Sequence, residues 1–219
     1  MADHTQDGIF REIDEELRQE HYAKLWKKYG IYVASAALVL VVAVAGYQIL
    51  SNYYINIRMA QGERFAQATG LAEADRLDEA GEAFSRLGNE AGGGYAQLAR
   101  FQAAAILGRS GDREGAALAY RELAEDGGVD AIYRDLAVVL GVLNELNGGD
   151  SANLILRLAP LRADDNPWRH SAREITAVLY QRSGERAKAR QLLGGLGGDA
   201  TAPQGIRERA AEMLAALGK

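Results

Sequence analysis

The chain has 219 residues, with 25 Lys and Arg against 30 Asp and Glu, giving a formal net charge of −5. That balance excludes nucleic-acid binding driven by bulk positive charge, and an apolar share of 48% beside 25% charged residues is that of a chain that folds. Cysteine is absent and His numbers three, which excludes disulfides, thiolate metal sites, a cysteine nucleophile and a lipidated cysteine, and leaves ligand-rich metal chemistry poorly supplied.

Residues 1–30 read as a cytoplasmic tail. Phe10, Ile13 and Leu17 stand three and four apart with Leu25 on the same stripe, which predicts an amphipathic helix. Its first half is acidic and its second half basic, and Asp14 with Arg18 and Glu20 with Lys24 are acid-before-base pairs at helical spacing. The stripe suits a cytosolic partner, the lipid surface, or a solvated helix leading into the next segment. His4 and His21 are isolated and read as surface residues.

Residues 31–50, IYVASAALVLVVAVAGYQIL, carry no charge between Lys28 and Arg58. A helix of that length rises roughly 30 Å, the thickness of a bilayer's hydrocarbon core. Its Leu, Ile and Val side chains together favour insertion by about 3–6 kcal/mol, with no charge to oppose them. Trp26, Tyr29 and Tyr32 on one side and Tyr47, Tyr53 and Tyr54 on the other stand where amphipathic rings meet headgroups. A transmembrane helix is therefore expected. Arg18, Lys24, Lys27 and Lys28 precede it, against Arg58 and Arg64 after it, so the amino terminus should stay cytoplasmic. Residues 51–219 are then periplasmic, on a single-pass protein of a bacterial inner membrane. Ala43-Val44-Ala45 before Gly46 also fits a cleavage site, which would release a soluble periplasmic protein, although the preceding tail is long for a signal peptide.

From residue 51 onward no period-two alternation supports a strand, and Ala, Leu, Glu, Arg and Gln dominate between Gly-containing turns, so the segment should be all-α. A ladder near a period of 36 runs through it: Ala80, Ala116, Ala152 and Ala189. Four residues after each stand Phe84, Tyr120, Leu156 and Leu193, and seven after each Leu87, Leu123, Ala159 and Leu196. Twelve before each stand Ala68, Ala104, Leu140 and Ala177, and nine before each Leu71, Leu107, Leu143 and Tyr180. The segments Arg109-Ser110-Gly111-Asp112-Arg113 and Arg182-Ser183-Gly184-Glu185-Arg186 match two periods apart, with Gly148 at the corresponding turn between them. Small residues let paired helices approach, and the bulky residue a turn later fills the groove toward the next pair. The reading is an α-solenoid of about four helical hairpins, closed by a capping helix from Pro203 to Leu217.

This spacing resembles the tetratricopeptide repeat, most clearly at Ala104, Leu107, Ala116, Tyr120 and Leu123. The early Trp and closing Pro of that repeat are missing, and Leu140 stands where a small residue belongs. Tail, span and hairpins together resemble the ancillary SecYEG translocon subunit family. That resemblance implies a non-catalytic scaffold without cofactor, whose partners are the SecYEG translocon and periplasmic chaperones. A scaffold for another envelope assembly, such as cytochrome maturation or cell division, is the alternative.

No motif nominates an enzyme, a metal site, a nucleic-acid site or a small-molecule substrate. Gly92-Gly93-Gly94 lacks the preceding strand and following Lys of a phosphate loop and reads as an interhelix turn, and Asp165-Asn166-Pro167 reads as a helix start rather than part of a metal site with His170. By repeat register Phe65, Leu98, Phe101, Arg134, Asn144, Glu174 and Arg182 should face a concave partner-binding side. Phe65 and Phe101 would be its apolar anchors and Arg134 and Arg182 its polar readers, although both Phe residues also suit interhelix core.

Overall fold

A computed structural model describes the backbone of residues 4–218 and the side chains of residues 22–218. The chain divides into two units, Met1–Met59 and Ala60–Lys219. All of the regular structure among the described residues is helical.

The first helix, α1, runs His4–Glu73, 70 residues. It passes through residues 51–61 without a break because no Pro or Gly interrupts them. The expected boundary at residue 50 is thus marked by no turn. In the first unit the stretch 31–50 has no buried residue, and its Val and Leu side chains lie open. By length and composition it forms a helix able to cross a membrane, with a mean hydropathy of 2.2 in its most apolar window. Tyr53 and Tyr54 meet edge to face at 5.9 Å beyond it, and the Lys28 ammonium lies 5.3 Å from the Tyr29 ring centre before it. Of the amphipathic stripe, Leu25 is exposed, while Phe10, Ile13 and Leu17 lie outside the residues whose side chains are described.

The second unit stacks the end of α1 with α2 (Leu77–Glu90), α3 (Gly93–Arg109), α4 (Arg113–Glu125), α5 (Ala131–Glu145) and α6 (Ser151–Leu158), the last extended by a 3-10 turn at Pro160–Arg162. Helices α7 (Arg169–Arg182), α8 (Arg186–Gly198) and α9 (Gln204–Leu217) complete it. Gly111 and Gly184 hold φ of 97° and 83°, the left-handed conformation that ends one helix and lets the next fold back. Asp75 does the same at φ 59° after α1. Asp112 then caps α4, its carboxylate accepting from the Gly115 amide at 2.8 Å.

Four apolar clusters run through the stack. Ala68, Phe84, Leu87 and Ile106 join the end of α1 to α2 and α3, and Ala104, Tyr120, Leu123 and Ala137 join α3 through α4 to α5. Val142, Leu154, Leu158 and Leu179 join α5 through α6 to α7. Ala177, Ala189, Leu193, Leu196, Ile206 and Ala210 join α7 through α8 to the cap α9. Each hairpin thus buries its face against the next, as a repeat stack requires.

The third copy departs from the sequence ladder. Ala152 is exposed and Leu156 is 71% exposed, whereas Leu154 and Leu158 are buried at 1% and 0%. Twelve residues before Leu154, the small position is taken by the buried Val142 and not by Leu140. The buried positions are Ala68, Ala104, Val142 and Ala177, then Ala80, Ala116, Leu154 and Ala189, so the third copy sits two residues later than the ladder places it. The cause is the α4–α5 connection. Residues 126–130 span five positions where 91–92 span two between α2 and α3. That longer connection is ordered: Asp126 accepts from Arg100 at 2.6 Å and from the Gly128 amide at 2.9 Å, and Val129 is buried against Tyr120 and Leu123. Gly148 is not left-handed, and the α5–α6 turn instead brings the Gly148 and Gly149 amides onto the Glu145 carbonyl.

Candidate protein-binding groove

Helix α5 is apolar on more than one side. Its Ala137 and Gly141 face α4, with a Cβ built on Gly141 falling 3.4 Å from that of Tyr120, and its Val139 and Val142 join the cluster with α6 and α7. Leu136, Leu140 and Leu143, spaced at four and three, keep part of their surface open, although Leu140 also packs against the cluster with α3 and α4. They line a groove of about 580 Å³ whose other walls are α7, with Glu174, Ile175 and Val178, and α9, with Arg209, Glu212 and Met213. Trp168 sits at its edge, its indole N–H donating to the Ile132 carbonyl at 2.9 Å, which holds the ring's apolar face in the wall.

Glu174 lines this groove together with the charged Arg209 and Glu212. Arg209 donates to both carboxylate oxygens of Glu174, at 2.6 and 2.9 Å, a fork that spans from α7 to α9. The same pairing holds the Arg209 guanidinium more firmly protonated than usual. Chemically the groove offers apolar contact with charge on its α7–α9 side, which suits a peptide segment.

The other residues expected on the binding side are placed elsewhere. Phe65 packs edge to face on Phe84 of its own hairpin at 5.2 Å and against Tyr95 of the next at 6.0 Å, and Phe101 packs against Tyr120 of its own hairpin at 6.0 Å, so both rings take part in interhelix packing. Leu98 is exposed on α3. Arg134 donates to the Val129 carbonyl at 2.7 Å and ties down the α4–α5 connection. Asn144 donates to the Leu140 carbonyl and borders a separate polar cavity of about 550 Å³ beside Arg113, Arg121 and Glu145.

Arg182 donates to Ser151 Oγ at 2.9 Å and to the Leu146 and Gly149 carbonyls, clasping the end of α5. Arg109, its match two periods earlier, reaches the Ala72 carbonyl at 3.2 Å and so clasps the end of α1 in the same way. Ser110 and Ser183 each bond the carbonyl three residues back, to Leu107 and Tyr180. The repeated Arg-Ser-Gly segment is therefore a joint between hairpins. Of the seven expected residues, Glu174 alone lines the groove; the residues that line it with Glu174 fall outside the repeat columns or, as Leu140 and Leu143, stand within them and so read as packing. The available signal was the second apolar stripe of α5, more than one partner helix can cover.

His170, on the first turn of α7, is buried. Its Nδ1 has no hydrogen bond and lies 3.6 Å from an Asp199 oxygen, while Nε2 lies 3.4 Å from Thr201 Oγ1. Burial lowers its pKa below the usual 6.5, and the nearby Arg169 adds to the effect. Thr201 donates to Asp199 through both its amide and hydroxyl, which lowers the Asp199 pKa. Among the residues described, no three His, Asp or Glu side chains group as metal ligands would.

No curated protein and no solved structure matches this chain. The family model described as a tetratricopeptide repeat-like domain matches residues 23–192, from the apolar part of α1 into α8. Domains of this kind are typically non-catalytic scaffolds for protein partners. With most of its length matched and its hairpins stacked as described, the chain belongs to the tetratricopeptide repeat-like domain family.

Proposed function

We propose that this protein is a membrane-anchored scaffold that binds protein partners in the α5–α7–α9 groove, as an ancillary subunit linking the SecYEG translocon to periplasmic chaperones. The observation that carries the scaffold reading is the groove itself: a row of Leu side chains on a repeat helix that its own stack leaves partly open. The anchor rests on residues 31–50, whose apolar side chains have no cover within the chain, and on the Lys and Arg excess before them, which favours a cytoplasmic amino terminus. The family match supports this arrangement by taking in the apolar part of α1 together with the repeats. Tethering raises the effective concentration of the groove for other proteins at the same membrane, so modest apolar contacts suffice.

The test is photo-crosslinking in native membranes from a reactive residue at position 143. Translocon subunits and chaperones among the products support the full reading. Crosslinks to a different envelope assembly would retain the scaffold and reject the translocon, and an absence of protein crosslinks from that position would reject the groove.

A further inference from the structure

Three residues before the small position of each hairpin stand Phe65, Phe101, Val139 and Glu174. The first three are apolar and pack between helices, while the fourth puts a carboxylate at the same level of the stack. Its side chain is 13% exposed, and Arg209 at 57% is the cation that compensates it. One turn beyond Arg209 on α9, Glu212 also lines the groove and is exposed; its carboxylate lies within ion-pair distance of no cation among the described residues, and the charge it feels is that of the Arg209 guanidinium already bound to Glu174. The α7–α9 side of a mostly apolar groove therefore holds two carboxylates and one guanidinium.

Resting on the scaffold reading above, we propose that the groove takes an apolar segment carrying a basic side chain, the cation seated beside Glu212 and Glu174. A neutral apolar segment laid here strips Glu212 of water and returns no partner to it. An acidic segment adds repulsion to the same loss. A Lys or Arg in the segment supplies a second positive charge where two carboxylates share one guanidinium, so the excess negative charge rejects wrong partners as much as it attracts the right one. Arg209 stays with Glu174, which keeps that buried carboxylate compensated while the groove is empty.

The experiment uses the full chain in phosphatidylcholine nanodiscs, with binding to empty nanodiscs subtracted. The probes are three labelled helical peptides rich in Leu and Ala that differ at one position, bearing Lys, Gln or Glu. At low ionic strength the Lys peptide should bind about tenfold more tightly than the Glu peptide, and salt should narrow the gap. Glu212→Lys should reverse the order, and Leu143→Gln should weaken all three. If the three bind wild-type protein equally and still lose binding with Leu143→Gln, charge selection is wrong and the groove stands. If none binds above empty nanodiscs, the scaffold reading falls together with the inference.

Discussion

The sharpest test of the repeat register lies in two leucines of α6. Leu154 is buried in the cluster with Val142 and Leu158, and Leu156, one side chain away in sequence, points to solvent. Leu154→Ala removes packed methyl groups and leaves a cavity, a loss of about 2–5 kcal/mol. Leu156→Ala should stay within about 0.5 kcal/mol. Chemical denaturation of both variants reads the difference, and equal losses would return the third copy to the position that its Ala152 and Leu156 implied. His170 yields a pH prediction whose sign follows from its lowered pKa. Above about pH 6.5 the imidazole is neutral in both folded and unfolded chains and costs nothing. Below it the unfolded chain takes up a proton that the folded chain resists, so stability falls with acidification until the folded group titrates too. Between pH 7.5 and 5.5 the wild type should therefore lose more melting temperature than His170→Gln; an identical loss in both would remove His170 as a source of acid sensitivity.

At the level of elements, Arg109 and Arg182 do one job at two joints. Each closes a hairpin helix with the left-handed Gly that follows and reaches back to the carbonyl end of the preceding hairpin's first helix, α1 or α5. Those carbonyls belong to a helix C-terminus, where a cation is favoured. Arg182→Gln should cost about 1 kcal/mol and should quicken amide exchange in the α5–α6 turn while leaving α2 and α3 protected. Uniform loss of protection across the stack would show that the clasp is not local. The matched Arg-Ser-Gly segments were plain in the sequence, but their purpose was not. An Arg donor looks the same whether it meets a partner or a carbonyl of its own chain, and the carbonyl lies more than thirty residues away. Phe65 and Phe101 pose the same ambiguity: each ring packs on an aromatic of the neighbouring helix and keeps part of its surface open.

For the whole molecule, the proposed anchoring makes a direct prediction about α1. A single Arg at the centre of a span costs about 2.5–3.5 kcal/mol on the insertion scale. Val39→Arg combined with Val42→Arg should therefore cancel most of the gain from the apolar side chains and move the protein from the membrane pellet to the carbonate-soluble fraction. Retention in the pellet would mean that residues 31–50 are not what holds the protein to membranes. Protease added to spheroplasts checks the orientation, since a periplasmic repeat unit is cleaved there and a cytoplasmic one is shielded.

The sequence by itself determined the helices, the apolar stretch at 31–50 and the existence of a stacked repeat. These depend on local preference and periodicity, on Gly111 and Gly184 at turns, and on small residues such as Ala68, Ala80, Ala104 and Ala116 recurring at one spacing. Tertiary structure alone decided the register of the third copy and the location of the groove. A two-residue shift in the α4–α5 connection leaves the Ala and Leu content of α6 unchanged and alters which of its faces is buried, so Ala152 and Leu156 matched a column by composition while Leu154 and Leu158 filled it in space. The groove arises where α5, α7 and α9 leave Leu136, Leu140 and Leu143 only partly covered, a property of three helices distant in the chain that no window along it contains.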